Sequence, residues 1–158
     1  MKQILIRRTL IIAASTTLIL FMQKEGISQT FINPDGLGKS SSYSQVVVSG
    51  GTTYISGQVS VNEKGEVVGK GDLRAQTMQA LENLRLCLTA AGLEFKDVVK
   101  MTTYVVNLKP ADIPIIREVR MKYLNAEGPP ASTLVGVQSL VGPDWMIEIE
   151  AIAAKKKN

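Results

Sequence analysis

The chain of 158 residues contains no histidine and a single cysteine, Cys87. Without imidazole, Ser–His and Cys–His nucleophilic schemes are excluded. A zinc site loses the sulfur and nitrogen ligands it favours. One cysteine cannot form an internal disulfide, even in an oxidising compartment. Long apolar runs are also scarce. The longest, "TLIIAASTTLILFM", has fourteen residues, fewer than the ~20 that span a bilayer. It follows the basic start "MKQILIRR" and precedes the small residues of "GIS". That order predicts a signal peptide over 1–28, cut between Ser28 and Gln29, with an uncleaved N-terminal anchor as the alternative. The mature protein is then exported, periplasmic or secreted, and leaves the membrane.

The excess of positive charge depends on that segment. Residues 1–28 hold Lys2, Arg7, Arg8 and Lys24 against Glu25, leaving 14 basic and 13 acidic residues, a net of +1. Much of what remains basic lies in the tail, Lys155–Lys157. Nucleic-acid binding needs a basic face, so no nucleic-acid partner is expected. Residues 29–158 suffice for one domain with one core, the core running over 33–153 and the basic tail over 155–158.

What is present reads as short strands and two helices. "TFINPDGLGKSSSYS" is rich in Gly, Ser, Asn and Pro and predicts an irregular lead-in. "QVVVSG", "TTYISGQ" and "EVVG" are β-branched runs, with a hairpin at Gly50-Gly51. The spacing of Leu73, Thr77, Ala80, Leu81, Leu84, Leu88 and Ala91 predicts a helix capped by Asp72 and ended by Gly92. "DVVKMTTYVVNL" predicts a long strand, and "ADIPIIREVRMKYL" a second helix capped by Asp112. "STLVGV" and "MIEIEAIAA" complete an α+β pattern. Each helix has one apolar stripe, so both are expected on one sheet face. The opposite face, carrying Glu148, Glu150, Ile152 and Ala154, is left half apolar, which predicts a closed homo-oligomer.

Several residue types invite a functional reading. "GLGKSSS" lacks the first glycine of a phosphate loop, because Asn33 stands five residues before Gly38. Glu148 and Glu150 share a strand face, so they are either an acid–base pair or a solvated surface. Cys87, between Leu86 and Leu88, reads as a buried small side chain. Trp145 reads as a packing residue. Arg117 and Arg120 read as solvated, with an anion site if their helix borders a cleft. Ser132 and Thr133 open a strand after "GPPA", and neither has a base to activate it.

The phrases "YSQVVVSGGTTYISGQ", "AQTMQALENLRLCLTAAGLEFKDVVKMTTYVVNL", "PASTLVGV" and "IEIEAIA" together resemble the reactive-intermediate deaminase family, also called Rid or YjgF. The resemblance runs from Asn33 to Ala153. It implies a chorismate mutase-like fold, with two helices on one sheet face and three copies closing around inter-subunit clefts. It further implies hydrolysis of small imines or enamines without metal or cofactor. Carried over, Tyr43, Ser56 and Gly57 line the cleft, Glu148 orients the attacking water, and the Leu134 N–H donates to substrate. The family's Pro-Ala-Arg-Ser reads Pro130-Ala131-Ser132-Thr133 here, so the arginine that clamps a substrate carboxylate is missing. A charge-assisted contact of that kind is worth about 1.5–3 kcal/mol. A 2-imino acid is therefore expected to be a poor substrate, unless Arg117 serves from another direction. The two readings are a hydrolase with an atypical substrate, and a non-catalytic trimer that binds a small molecule or a protein.

Overall fold

The computed structural model describes residues 28–155, so the predicted signal peptide lies outside the described residues except for Ser28, as does the tail beyond Lys155. Among the described residues, no helix is long and apolar enough to cross a membrane. Six strands form one sheet: β1 (Gln29–Ile32), β2 (Val46–Ser49), β3 (Thr52–Val59), β4 (Val98–Val106), β5 (Ala131–Val137) and β6 (Ile147–Ala154). Their order is β1-β2-β3-β6-β4-β5. All neighbours are antiparallel except β4 and β5.

Helix α1 (Leu73–Ala90) joins β3 to β4, and α2 (Asp112–Arg120) joins β4 to β5. Both β3 and β4 run antiparallel to β6, so they run parallel to each other. Each helix is thus a crossover between parallel strands, and both crossovers step across the sheet in the same direction. Right-handed crossovers then place both helices on the same face. The α1 stripe is buried there: Leu81, Leu84 and Leu88 are fully buried with Met101, Ile147 and Ile149 from the central strands. Truncating one of these leucines to alanine costs about 2–5 kcal/mol. Asp72 caps α1 as its sequence position implies, its carboxylate accepting from Ala75 N–H at 3.1 Å. Gly50, Gly51 and Gly92 take positive φ at the hairpin and the helix end.

Among the described residues, no helix lies on the other face. Register places Lys100, Thr102 and Tyr104 of β4 beside Ile152, Glu150 and Glu148 of β6 there. Tyr54 and Val135 are exposed on the same face.

Three local expectations fail. The lead-in is not wholly irregular, because β1 pairs with β2 from Gln29↔Ser49 to Ile32↔Val46. As an edge strand exposed at Gln29, Thr30 and Phe31, it has no buried face to leave an alternating pattern. "EVVG" is no strand, only an isolated Val61↔Val67 bridge closing a turn. Asp112 does not cap α2 from outside: it is the first helical residue, and its carboxylate accepts from the Lys109 N–H at 2.8 Å.

Candidate active site

The site begins with an irregularity in β3. Ile55 pairs with Ala151 and Gln58 with Ile149, so β3 spends three steps where β6 spends two. The extra residue makes a β-bulge at Ser56–Gly57, opposite Glu150. The bulge is held from three sides. Ser56 N–H donates to the Gln45 carbonyl at 3.0 Å. Ser56 Oγ donates to the Ser44 carbonyl at 2.7 Å. The buried Gln58 amide donates to the Ser56 carbonyl at 2.9 Å and to Gln45 Oε1 at 2.8 Å. Glu148 lies directly over Gly57. A methyl group built on Gly57 would stand 1.8 Å from Glu148 Oε1 and 2.6 Å from its Cδ. Only glycine leaves room for this carboxylate.

Glu148, Ser56, Gly57 and Tyr43 line one cavity of about 320 Å³ with Val59, Val141 and Trp145. The loop bearing Val141 and Trp145 is tied down by the buried Gln76. Its amide donates to the Asp144 carbonyl, and its Oε1 accepts from the Met146 N–H, both at 2.8 Å. Lys70 pairs with Asp144 at 2.8 Å on the outer side. Trp145 also packs over Gly142, where an added methyl would come within 2.5 Å of the indole. Trp145 is therefore both a packing residue and part of the wall facing Glu148. Its place in a turn before β6 gave no periodicity from which that wall could be read.

Burial, and secondarily the charge of Glu150, raise the Glu148 carboxyl above its ordinary value. A desolvated carboxylate with a raised pKa is suited to take a proton from water and return it to a leaving group. Glu150 shares the sheet face, as period two requires, but lines a different depression with Lys100, Thr102 and Ile152. The Tyr104 hydroxyl donates to Glu150 Oε1 at 3.2 Å. The two carboxylates are thus coupled through space without sharing one cavity.

The remaining sequence candidates lie elsewhere. Ser132 and Leu134 alternate toward the helix layer of β5, on the edge of the sheet, and line a second cavity of about 300 Å³ with Arg117 and Arg120. Thr133 points to the open face, where it accepts from Lys100 Nζ. Arg117 is exposed and makes no hydrogen bond to Ser132. The residue that reaches Ser132 is Arg120, whose Nη2 donates to Ser132 Oγ at 3.0 Å. Arg120 is not solvated as its sequence position suggested: it is half-buried, because it stands four residues after the buried Ile116 and shares the helix face that packs toward β5. Cys87 is fully buried, and burial pushes its thiol up to about 12, so it is unreactive at neutral pH.

Comparison with known proteins bears on these positions. The family model described as Endoribonuclease L-PSP matches residues 35–155. The chain belongs to this family, the one also called Rid or YjgF. A RutC family protein of Pyrococcus horikoshii is 42% identical over 115 residues, covering 72% of this chain and 87% of that protein. The 2-iminobutanoate/2-iminopropanoate deaminase of Escherichia coli is 40% identical over 116 residues, covering 72% of this chain and 88% of that one. The crystal structure of RidA from an Antarctic Psychrobacter superposes with a TM-score of 0.71 at 31% identity, covering 81% of this chain and 100% of that chain. The two helices packed on a six-stranded mixed sheet are therefore the Rid fold, and relatives named as deaminases support a deaminase-like activity at the level of the family.

Proposed function

We propose that the protein hydrolyses small reactive imines and enamines to a carbonyl compound and ammonia, in clefts formed between three copies of the chain. The observation that carries this reading is the half-buried Glu148 carboxylate seated on the Gly57 bulge, in the wall of a cavity it shares with Tyr43 and Trp145. Glu148 takes a proton from water as the water oxygen bonds to the imine carbon. From the protonated imine this gives a neutral carbinolamine. The proton held by Glu148 passes to its nitrogen, and Glu148 takes the hydroxyl proton as the C–N bond breaks, leaving the carbonyl compound and ammonia, which carries that proton away as ammonium. The Ser56 and Gly57 backbone and Tyr43 frame the substrate.

The trimer supplies what one chain lacks. Tyr43, Ser56, Gly57 and Glu148 line one cavity, while Ser132 and Leu134 line another. The bare sheet face and the unpaired edge of β5 are the surfaces on which copies would meet, bringing the β5 edge of one against the Glu148 cavity of the next. At β5 a hydroxyl stands at position 132 in place of a cation, so substrate is held differently from a clamped 2-imino acid and the preference is shifted accordingly. The basic start and the fourteen-residue apolar run of the N-terminal segment support an exported location, periplasmic or secreted, for this activity.

Imines generated by amino-acid and amine oxidases, followed as semicarbazones, test the reading. The wild type is expected to divert imine from semicarbazide, and Glu148→Gln to lose that effect by about 100-fold or more. No diversion for any imine, together with a ligand that raises Tm without being consumed, would replace the hydrolase with a binding protein.

A further inference from the structure

Trp145 is the only tryptophan of the chain, and it is held in place without belonging to the core. Met146 packs against the cluster of buried side chains, whereas Trp145 and Val141 do not. Even so, the core commits a fully buried amide to this loop. Gln76 donates to the Asp144 carbonyl and accepts from the Met146 N–H, gripping the backbone on both sides of Trp145. The Trp145 N–H donates to the Gly142 carbonyl at 3.1 Å, and the indole rests where a Gly142 side chain would stand. A polar side chain is buried only at a cost that its hydrogen bonds must offset. Ties of this kind, on a loop that adds neither Val141 nor Trp145 to the core, point to the place of the indole as what they fix.

The indole faces a cavity whose two kinds of wall differ in chemistry. Glu148, Ser56 and the Tyr43 hydroxyl supply polar groups, while Val59, Val141, the indole and the Tyr43 ring supply apolar surface. Val141, beside the indole, is 93% exposed. At about 320 Å³ the cavity reaches the size, roughly 300 Å³ and above, at which pockets bury ligands far larger than an imine of three or four carbons. Fixed aromatic rings offer wide contact at little entropic cost, and they pair favourably with other rings in offset or edge-to-face arrangements. We infer that Trp145, with Val141 and Val59, forms a subsite for an aromatic substituent of the substrate. The inference rests on the imine-hydrolase reading and names the substituent which that reading leaves open. Trp145 sets specificity by touching the ring, and proton transfer stays with Glu148.

The test compares 2-oxobutanoate with 2-oxo-4-phenylbutanoate, which differ by one phenyl group. Binding of each to the full assembled protein is measured by calorimetry and, in the wild type, by the emission of Trp145, which no other indole obscures. The phenyl compound is expected to bind about tenfold to a hundredfold more tightly and to change that emission. Trp145→Ala is expected to cut the preference by about tenfold, and Trp145→Phe, which retains a ring, to keep most of it. The ratio of kcat/KM for the two corresponding imines should follow the same order. A loop that is merely loosened lowers both values and leaves their ratio alone. No preference in the wild type, or an unchanged preference in Trp145→Ala, overturns the aromatic subsite and leaves the hydrolase standing. A Trp145→Ala protein that light scattering finds dissociated assigns the indole to a subunit junction and overturns it equally. A phenyl preference that depends on Trp145, without turnover of any imine, keeps the subsite and removes the hydrolase.

Discussion

Replacing Gly57 by alanine is the sharpest probe of the site, because it adds one methyl group and nothing else. The backbone at Gly57 is outside the left-handed region, so alanine can adopt it. The new Cβ would stand 1.8 Å from Glu148 Oε1, 2.6 Å from Cδ and 2.9 Å from Cγ. To regain ordinary contact the carboxylate must retreat by roughly 1.5 Å. The obstacle is the end of a flexible side chain, so the fold absorbs the change by moving Glu148 while the strand stays in place. A catalytic group displaced by about 1 Å costs on the order of 100-fold. Gly57→Ala is therefore expected to lower kcat/KM by at least ~100-fold. Its Tm should change by only a few degrees, since glycine-to-alanine exchange at a compatible backbone contributes at most ~1 kcal/mol. A cycle with Glu148→Ala isolates the cause: the second substitution should add nothing once the carboxylate is gone. Wild-type turnover by Gly57→Ala, or the same loss in the Glu148→Ala background as in the wild type, would refute the placement of Glu148 over the bulge.

Other outcomes follow from the same geometry. As a base Glu148 must be ionised, so kcat/KM should fall as pH drops through a value above the ordinary carboxylate range, and Glu150→Gln should move that limb to lower pH by removing the secondary cause of the shift. A folded pKa above the unfolded one means that the Glu148 contribution to stability is full below the unfolded value and lost as pH rises through the folded one. Glu148→Gln should therefore raise Tm at pH 7, with the gain disappearing in acid, as differential scanning calorimetry can record. Gly142→Ala should push Trp145 off its seat and raise KM more than it lowers kcat, because the indole walls the cavity without touching the reacting bond. Light scattering should give three times the chain mass at micromolar concentration, and a monomer would remove the cleft on which the mechanism depends.

The architecture was legible in the sequence wherever a buried stripe imposes a period. The α1 leucines and the alternation of Ile147, Ile149, Ala151 and Ala153 identify their faces without coordinates, and the topology then follows from the handedness of the crossovers. β1 was illegible because an exposed edge strand imposes no pattern. The site was legible only in part. The resemblance picked out Tyr43, Ser56, Gly57 and Glu148, and the structure gathers these four around one cavity. It could not show that Gly57 is required by the Glu148 carboxylate, since that contact depends on a register shift between two strands far apart in the chain. Arg120 escaped for a different reason: it shares a helix face with Ile116, four residues earlier, but a charged residue beside an apolar stripe reads as solvated until the strand that covers it is known.

The unpaired residue in β3 has a consequence for how such a protein could be retuned. Ile55 and Gln58 both face the helices only because one residue between them is left over. Deleting that residue would leave Ile55 and Gln58 two steps apart, opposite Ala151 and Ile149 as regular alternation requires, so the strand would keep its register while the kink that seats Glu148 was lost. The extra residue thus serves the site and not the sheet, whereas Ser132 and Arg120 lie at a margin where side chains can be exchanged without disturbing any neighbour's register. A new substrate can be accommodated by redecorating that margin, while the water-activating end stays unaltered.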